Sequence, residues 1–151
     1  HRGRSTRDTN DARAPGGRLA DRGVPPCLRA SSLRAVAAQR LVRRLCPSCR
    51  ASAEVAAELA SASGLPLGAE IFAPSGCAEC RSTGYAGRTV VAEIMPVSAQ
   101  IAEMIYRNAP AGELRREARR LGMETLREAA AKKVLSGETS AEEMLFTTLA
   151  E

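Results

Sequence analysis

Tryptophan is absent and aromatic residues make up only 3% of the chain. A packed core has to come from Leu, Ile, Val, Met and Ala, and few rings are available to stack on unpaired bases. No run of about 18 apolar residues occurs, so no membrane-spanning helix is expected. The N-terminal stretch is polar and basic with no apolar stretch behind it, so no secretory leader is expected. Nowhere does the pattern G-x-x-x-x-G-K-[ST] occur. The Gly-rich backbone cradle that such a loop offers to nucleotide phosphates is therefore missing. Hydrophobic content is 44% over 151 residues, enough for one packed domain or two small ones.

Charge is divided unevenly. Residues 1–50 carry 12 Arg against 3 Asp, a net of +9, whereas residues 51–151 carry 10 basic and 14 acidic residues, a net of −4. A basic first third is the pattern of an arm for nucleic acid or a membrane surface. Residues 1–26 are rich in Gly, Pro and Arg and hold no lasting period, which reads as an irregular tail. Residues 1–28 are expected to be poorly ordered in isolation.

Periodicity begins at Ser31. Leu33, Ala37, Leu41 and Leu45 fall at i, i+4 spacing with arginines around them, which predicts a helix ending at Cys46-Pro47. Residues 53–62 predict a short helix stopped by Gly64 and Pro66. Residues 70–73 and 88–95 are rich in β-branched or apolar residues and predict strands. The remainder predicts helices: one capped by Ser98, one marked by Leu114, Ala118 and Leu121, and one marked by Leu126, Ala130, Val134 and Leu135. Ser140-Ala-Glu-Glu143 predicts a capping box that opens the last helix, with Met144 and Leu145 on its apolar side.

Four of the five cysteines form two C-x-x-C pairs, Cys46/Cys49 and Cys77/Cys80, with 27 residues between them. Each pair can form a tight knuckle with both thiolates on one side, and two knuckles supply the four sulfurs of a closed structural zinc site. The metal would then replace a core that so small a segment cannot build. A redox dithiol, an iron–sulfur cluster and four uncoordinated thiols are the alternative readings. Cys27 stands apart from the pairs.

The stretches "AQRLVRRLC", "GCAECRSTGYAGRTVVAEIMPVS" and "LREAAAKKVLSGETSAEEML" occur in that order. Together they resemble the C-terminal region of the type II secretion and type IV pilus-assembly ATPases. The opening "HRGRSTRDTNDA" resembles the His box of that family at His1, Ser5, Thr6, Thr9, Asn10, Asp11 and Ala12. It departs at Arg7 and at Asp8, which stands at the family's catalytic histidine position. Arg22, Arg29 and Arg34 also stand where the family carries apolar residues.

The resemblance implies an α/β fragment: the C-terminal part of a RecA-like P-loop ATPase domain with a tetracysteine zinc knuckle and a C-terminal helical bundle. It implies a division into a degenerate RecA-like remnant (1–45), a zinc region with short strands (46–96) and a helical subdomain (97–151). It implies structural zinc on Cys46, Cys49, Cys77 and Cys80. ATP and Mg2+ belong to the full-length family context, as do a homo-hexamer and an inner-membrane assembly platform. The expected location is cytoplasmic, peripheral at the inner membrane. Arg18 and Arg40 are candidate nucleotide or subunit-interface residues. No catalytic residue is expected in this chain, nor is ATP hydrolysis by the chain alone, because the phosphate loop and the acidic magnesium motif are absent. No nucleic acid and no small-molecule substrate are expected. The alternative is a small zinc-ribbon module that binds nucleic acid through its basic arm, or one that only docks a protein partner.

Overall fold

The computed structural model describes residues 23–148. Among these are six helices and two small two-stranded sheets, a mixed α/β composition. The elements are α1 (Pro26–Ser32), β1 (Ala35–Leu45), β2 (Ala51–Glu54), α2 (Ala57–Ser63), β3 (Glu70–Ala73), β4 (Tyr85–Pro96), α3 (Ala99–Tyr106), α4 (Ala111–Arg120), α5 (Leu126–Leu135) and α6 (Ala141–Thr148). None of these helices is long and apolar enough to cross a membrane. The chain divides into two compact units: one of residues up to Val36 with Met95–Met123, the other of Ala37–Ile94 with Glu124 onward.

In the first unit the core is Met95, Ile101, Ile105, Leu114, Ala118 and Met123, with Ala30, Leu33, Val36, Val97 and Met104 packed against it. Ile101 and Ile105 lie one turn apart on α3, as do Leu114 and Ala118 on α4, so each helix turns one apolar stripe inward. Ser98 caps α3 by accepting from the Ile101 N–H at 3.2 Å. Leu121, expected on the apolar side of α4, is 44% exposed, because it falls just past the end of that helix. Arg29 is buried in this unit, and an unpartnered buried guanidinium would be costly. Its Nε donates to the Val24 carbonyl at 3.2 Å and its Nη2 to Asn108 Oδ1 at 2.5 Å.

Two expectations for this part of the chain are corrected. A helix starts at Pro26, not at Ser31, with Pro at its first position, where no intrahelical N–H bond is needed. Residues 26–28, expected to lack order, are its first turn. Residues 1–22 lie outside the described residues. The predicted helix up to Cys46 is instead strand β1, paired with β4. A spacing of four suits a strand as well as a helix, since it is twice the strand period. Burial along β1 in fact falls on the opposite parity, at Val36, Ala38, Arg40 and Val42, with Leu41 61% exposed. The alternation slips between Val42 and Leu45, leaving Arg43 and Arg44 both exposed.

In the second unit Val42, Val55, Leu65, Ile71, Val91, Leu126, Ala130, Val134, Ala141 and Met144 form one core. Strands β2 and β3 pair antiparallel, with Ala51 opposite Ala73 and Ala53 opposite Ile71. That pairing takes the first residues of the predicted 53–62 helix into a strand, and α2 begins only at Ala57. Leu126, Ala130 and Val134 line the buried side of α5, while Leu135, one residue on, is 42% exposed. Thr125 and Glu128 close a full capping box at its start, which the sequence reading did not single out. The buried Glu93 of β4 accepts from the Leu126 N–H at 3.2 Å and places a carboxylate at the positive end of α5. The box expected at α6 is half made. Ser140 Oγ accepts from the Glu143 N–H at 3.2 Å, but the Glu143 carboxylate turns to Arg43. An arginine offers it charge-assisted bonds, which the return bond to a neutral N–H cannot match.

Candidate metal centre

Strand β1 ends at Leu45 and delivers Cys46 directly into a tight turn. In that turn the Arg50 N–H returns to the Cys46 carbonyl at 3.0 Å, which brings Cys49 back beside Cys46. The second knuckle is built the same way. Ser82 N–H donates to the Cys77 carbonyl at 2.8 Å, and Arg81 and Ser82 take left-handed φ values of 54° and 62°. Cys46 N–H donates to the Gly84 carbonyl at 2.9 Å, so the two knuckles are joined by backbone as well as by their cysteines. Across them, Ser48 Oγ donates to Glu79 Oε2 at 2.5 Å.

The four sulfurs converge. Cys46 and Cys77 Sγ are 3.9 Å apart, Cys49 and Cys80 3.8 Å, Cys77 and Cys80 3.7 Å, and all four lie within 4.8 Å of one another. Sulfurs bound tetrahedrally at about 2.3 Å from one ion stand about 3.8 Å apart. The three shortest separations match that edge. They are far too long for a disulfide, and all four cysteines are free thiols. A multi-iron cluster would hold its thiolates on separate irons and spread them wider. Cys46 and Cys80 are buried, Cys49 and Cys77 half-buried. Cys27 is exposed on α1 and outside the cluster.

Backbone amides surround the sulfurs. Gly76 N–H donates to Cys49 Sγ at 3.3 Å, and Cys77 and Gly84 N–H both donate to Cys80 Sγ at 3.2 Å. Such donors stabilise thiolate over thiol. Burial alone would raise the Cys80 thiol. The two amides, with the Cys77 and Cys49 thiols, outweigh it and bring Cys80 down to about 6. Cys49 goes the other way. Burial and the other three thiols push it up to about 12 against the Gly76 N–H. A metal ion bound by the four sulfurs would take the place of their protons.

Two glycines make this close approach possible. Gly84 has φ 75°, and a Cβ there would lie 2.4 Å from Pro74 Cβ. Gly76 has φ 102°, and a Cβ there would lie 2.9 Å from the Ser82 carbonyl oxygen. A side chain at either position would push the amide away from its sulfur.

Outside the sulfur cluster, Arg40 is half-buried on β1 and donates from Nη1 to the Gln39 carbonyl at 3.2 Å. Arg18 and His1 lie outside the described residues. The sequence reading took Arg43 as one of the arginines around a predicted helix and missed what surrounds it. Arg43 Nε and Nη2 both donate to Glu143 Oε1, at 2.8 and 2.5 Å, and its backbone N–H to Oε2 at 2.9 Å. Its guanidinium also lies over the Tyr85 ring, 4.0 Å from the centroid. Nothing in the local sequence links residues 43 and 143. The glycines flanking the second cysteine pair were the legible sign of close backbone approach.

A motif order of this kind, with a four-sulfur centre between short strands and helices, marks a protein class. The family model of the type II/IV secretion system proteins matches residues 1–146, and the chain belongs to that family. Among curated relatives it is 39% identical to the type IV pilus assembly ATPase TfpB of Acinetobacter baylyi, 40% to the type IV pilus assembly ATPase PilB of Myxococcus xanthus and 42% to type II secretion system protein E of Klebsiella pneumoniae. The alignments cover 93%, 95% and 95% of this chain but 25%, 26% and 29% of those relatives. The chain thus spans little more than a quarter of their length.

Proposed function

We propose that this chain is the C-terminal, zinc-holding portion of an ATPase that powers type IV pilus assembly or type II protein secretion. The observation that carries the reading is the set of four sulfurs at tetrahedral spacing in a chain that belongs to this family. Cys46, Cys49, Cys77 and Cys80 would hold a zinc ion with no coordination position left open, which makes the site structural and not catalytic. The amides of Gly76, Cys77 and Gly84 supply the second layer, offsetting the negative charge of four thiolates.

The names of the relatives support a motor role for the whole protein. In that context the chain is part of a RecA-like domain, in a hexamer that docks on an inner-membrane platform from the cytoplasmic side. ATP and Mg2+ are held by parts of the protein that carry the phosphate loop, since this sequence has none. The chain supplies fold and surface, and no reacting group.

The test is metal content. The chain purified under reducing conditions is expected to hold one zinc per molecule by elemental analysis. Co2+ in its place is expected to give the absorption of a tetrahedral four-thiolate site. Cys46→Ser is expected to abolish both. A chain that folds and binds no metal, or binds it unchanged in C46S, overturns the reading.

A further inference from the structure

We propose that the four-cysteine centre is a latch on the loop of residues 136–140 and on helix α6 behind it, so that metal binding and ordering of α6 are one coupled equilibrium. The proposal rests on the metal reading above.

The first knuckle is tied to that loop on both of its sides. Before it, the Leu45 N–H donates to the Glu138 carbonyl at 2.9 Å, and Thr139 Oγ1 donates to the Arg43 carbonyl at 2.7 Å. After it, Arg50 Nη1 donates to the Gly137 carbonyl at 2.9 Å. The Arg50 guanidinium is itself held over the Phe72 ring, 4.4 Å from its centroid. The fit is close: at φ 72°, a Cβ on Gly137 would lie 2.7 Å from Phe72 Cδ2 and 2.9 Å from Arg50 Nη1.

The second knuckle reaches the same place by another route. Tyr85, the residue after Gly84, shares a 2.8 Å hydrogen bond between its hydroxyl and Ser140 Oγ. Ser140 Oγ is also the acceptor at the start of α6, and Glu143 one turn on holds Arg43, which lies on the Tyr85 ring. Thr139 and Ser140 are fully or nearly fully buried, so these bonds are not shared with water.

The two knuckles are 31 residues apart in sequence. An ion that bridges them closes that loop of chain and fixes residues 43–50 and 84–85 as one body. That body supplies the partners that position the 136–140 loop. Removing the ion lets the two halves part, and each half carries away some of the loop's bonds. Linkage then requires the converse: loosening α6 weakens metal binding by the same factor.

Hydrogen exchange on the full 151-residue chain tests the forward direction, zinc-loaded against chelator-stripped under reductant. Peptides covering 136–148 are expected to lose protection together with those covering 46–50 and 76–85, while peptides from 99–120 keep theirs. Protection at 136–148 that persists while both knuckles open overturns the latch. Co2+ affinity tests the reverse direction and needs only the folded, loaded chain. The Tyr85→Phe/Glu143→Gln double variant is expected to bind Co2+ about tenfold more weakly. Arg120→Ala, which breaks only the exposed pair with Glu117, is expected to bind it as the parent does. Equal affinity in the double variant and the parent overturns the latch alone. A chain that takes up no Co2+ overturns the metal reading and the latch with it.

Discussion

Replacing Gly84 by alanine strikes the four-cysteine centre without touching a cysteine. Three costs can be separated. The residue has φ 75°, and an L-residue there costs about 1–2 kcal/mol. The new Cβ would lie 2.4 Å from Pro74 Cβ and 3.0 Å from Pro74 Cα, so backbone has to shift, an overpacking cost of about 1–3 kcal/mol. The same shift pulls the Gly84 N–H from Cys80 Sγ and the Gly84 carbonyl from the Cys46 N–H, both now bonded. Gly87 is the control. It has φ 77°, and a Cβ there would meet nothing within 4 Å, so Gly87→Ala carries only the first cost. The expected outcome is a loss of about 1–2 kcal/mol for G87A and about 3–5 kcal/mol for G84A. The assay is urea unfolding of the zinc-loaded chain, with Zn2+/Co2+ competition beside it. Affinity is expected to fall at least tenfold in G84A and to hold in G87A. If G84A is no worse than G87A in either measurement, the close packing of Gly84 against Pro74 does not shape the site and the argument fails.

Glu143→Gln tests the tie between β1 and α6. Burial raises the Glu143 carboxyl, but the Arg43 guanidinium and backbone N–H outweigh it and hold the acid below its ordinary range. Its contribution to stability is therefore full above the unfolded value of about 4.3 and is lost as pH falls through the lower folded value. The parent is expected to exceed the variant by about 1–2 kcal/mol at pH 7, discounted because the Arg43 side chain is 55% exposed. The gap is expected to narrow in parallel urea titrations as pH falls below the ordinary carboxylate range; a gap constant with pH refutes the pairing. Met144→Ala removes a side chain with no exposed surface from the second unit's core and is expected to cost about 2–5 kcal/mol in urea unfolding. Thr125→Ala breaks the capping box of α5 and is expected to cost about 1 kcal/mol by the same measurement, with Thr125→Ser close to neutral.

Local chemistry was legible where one segment carries its own reason. Strands β3 and β4, the Ser98 cap, and the apolar stripe Leu126, Ala130, Val134 could be read from spacing alone. So could the pairing of the four cysteines, because two C-x-x-C knuckles have few other uses. Strand β1 was not legible. Leu33, Ala37, Leu41 and Leu45 fit both periods, and pairing with β4, some fifty residues away, decided between them. The first turn of the last helix shows the same limit: Ser140 and Glu143 spell a capping box, yet Arg43 outcompetes the local amide for the carboxylate.

By itself, then, the sequence determined the family, the two cysteine pairs and most of the helices. These rest on contacts within a few residues or on motifs whose order survives in one dimension. The tertiary structure alone decided the strand after α1, the sulfur separations that fit a tetrahedral ion, and the bonds from both knuckles to residues 136–140. Those depend on residues 30 to 100 positions apart meeting in space, which no local spacing encodes.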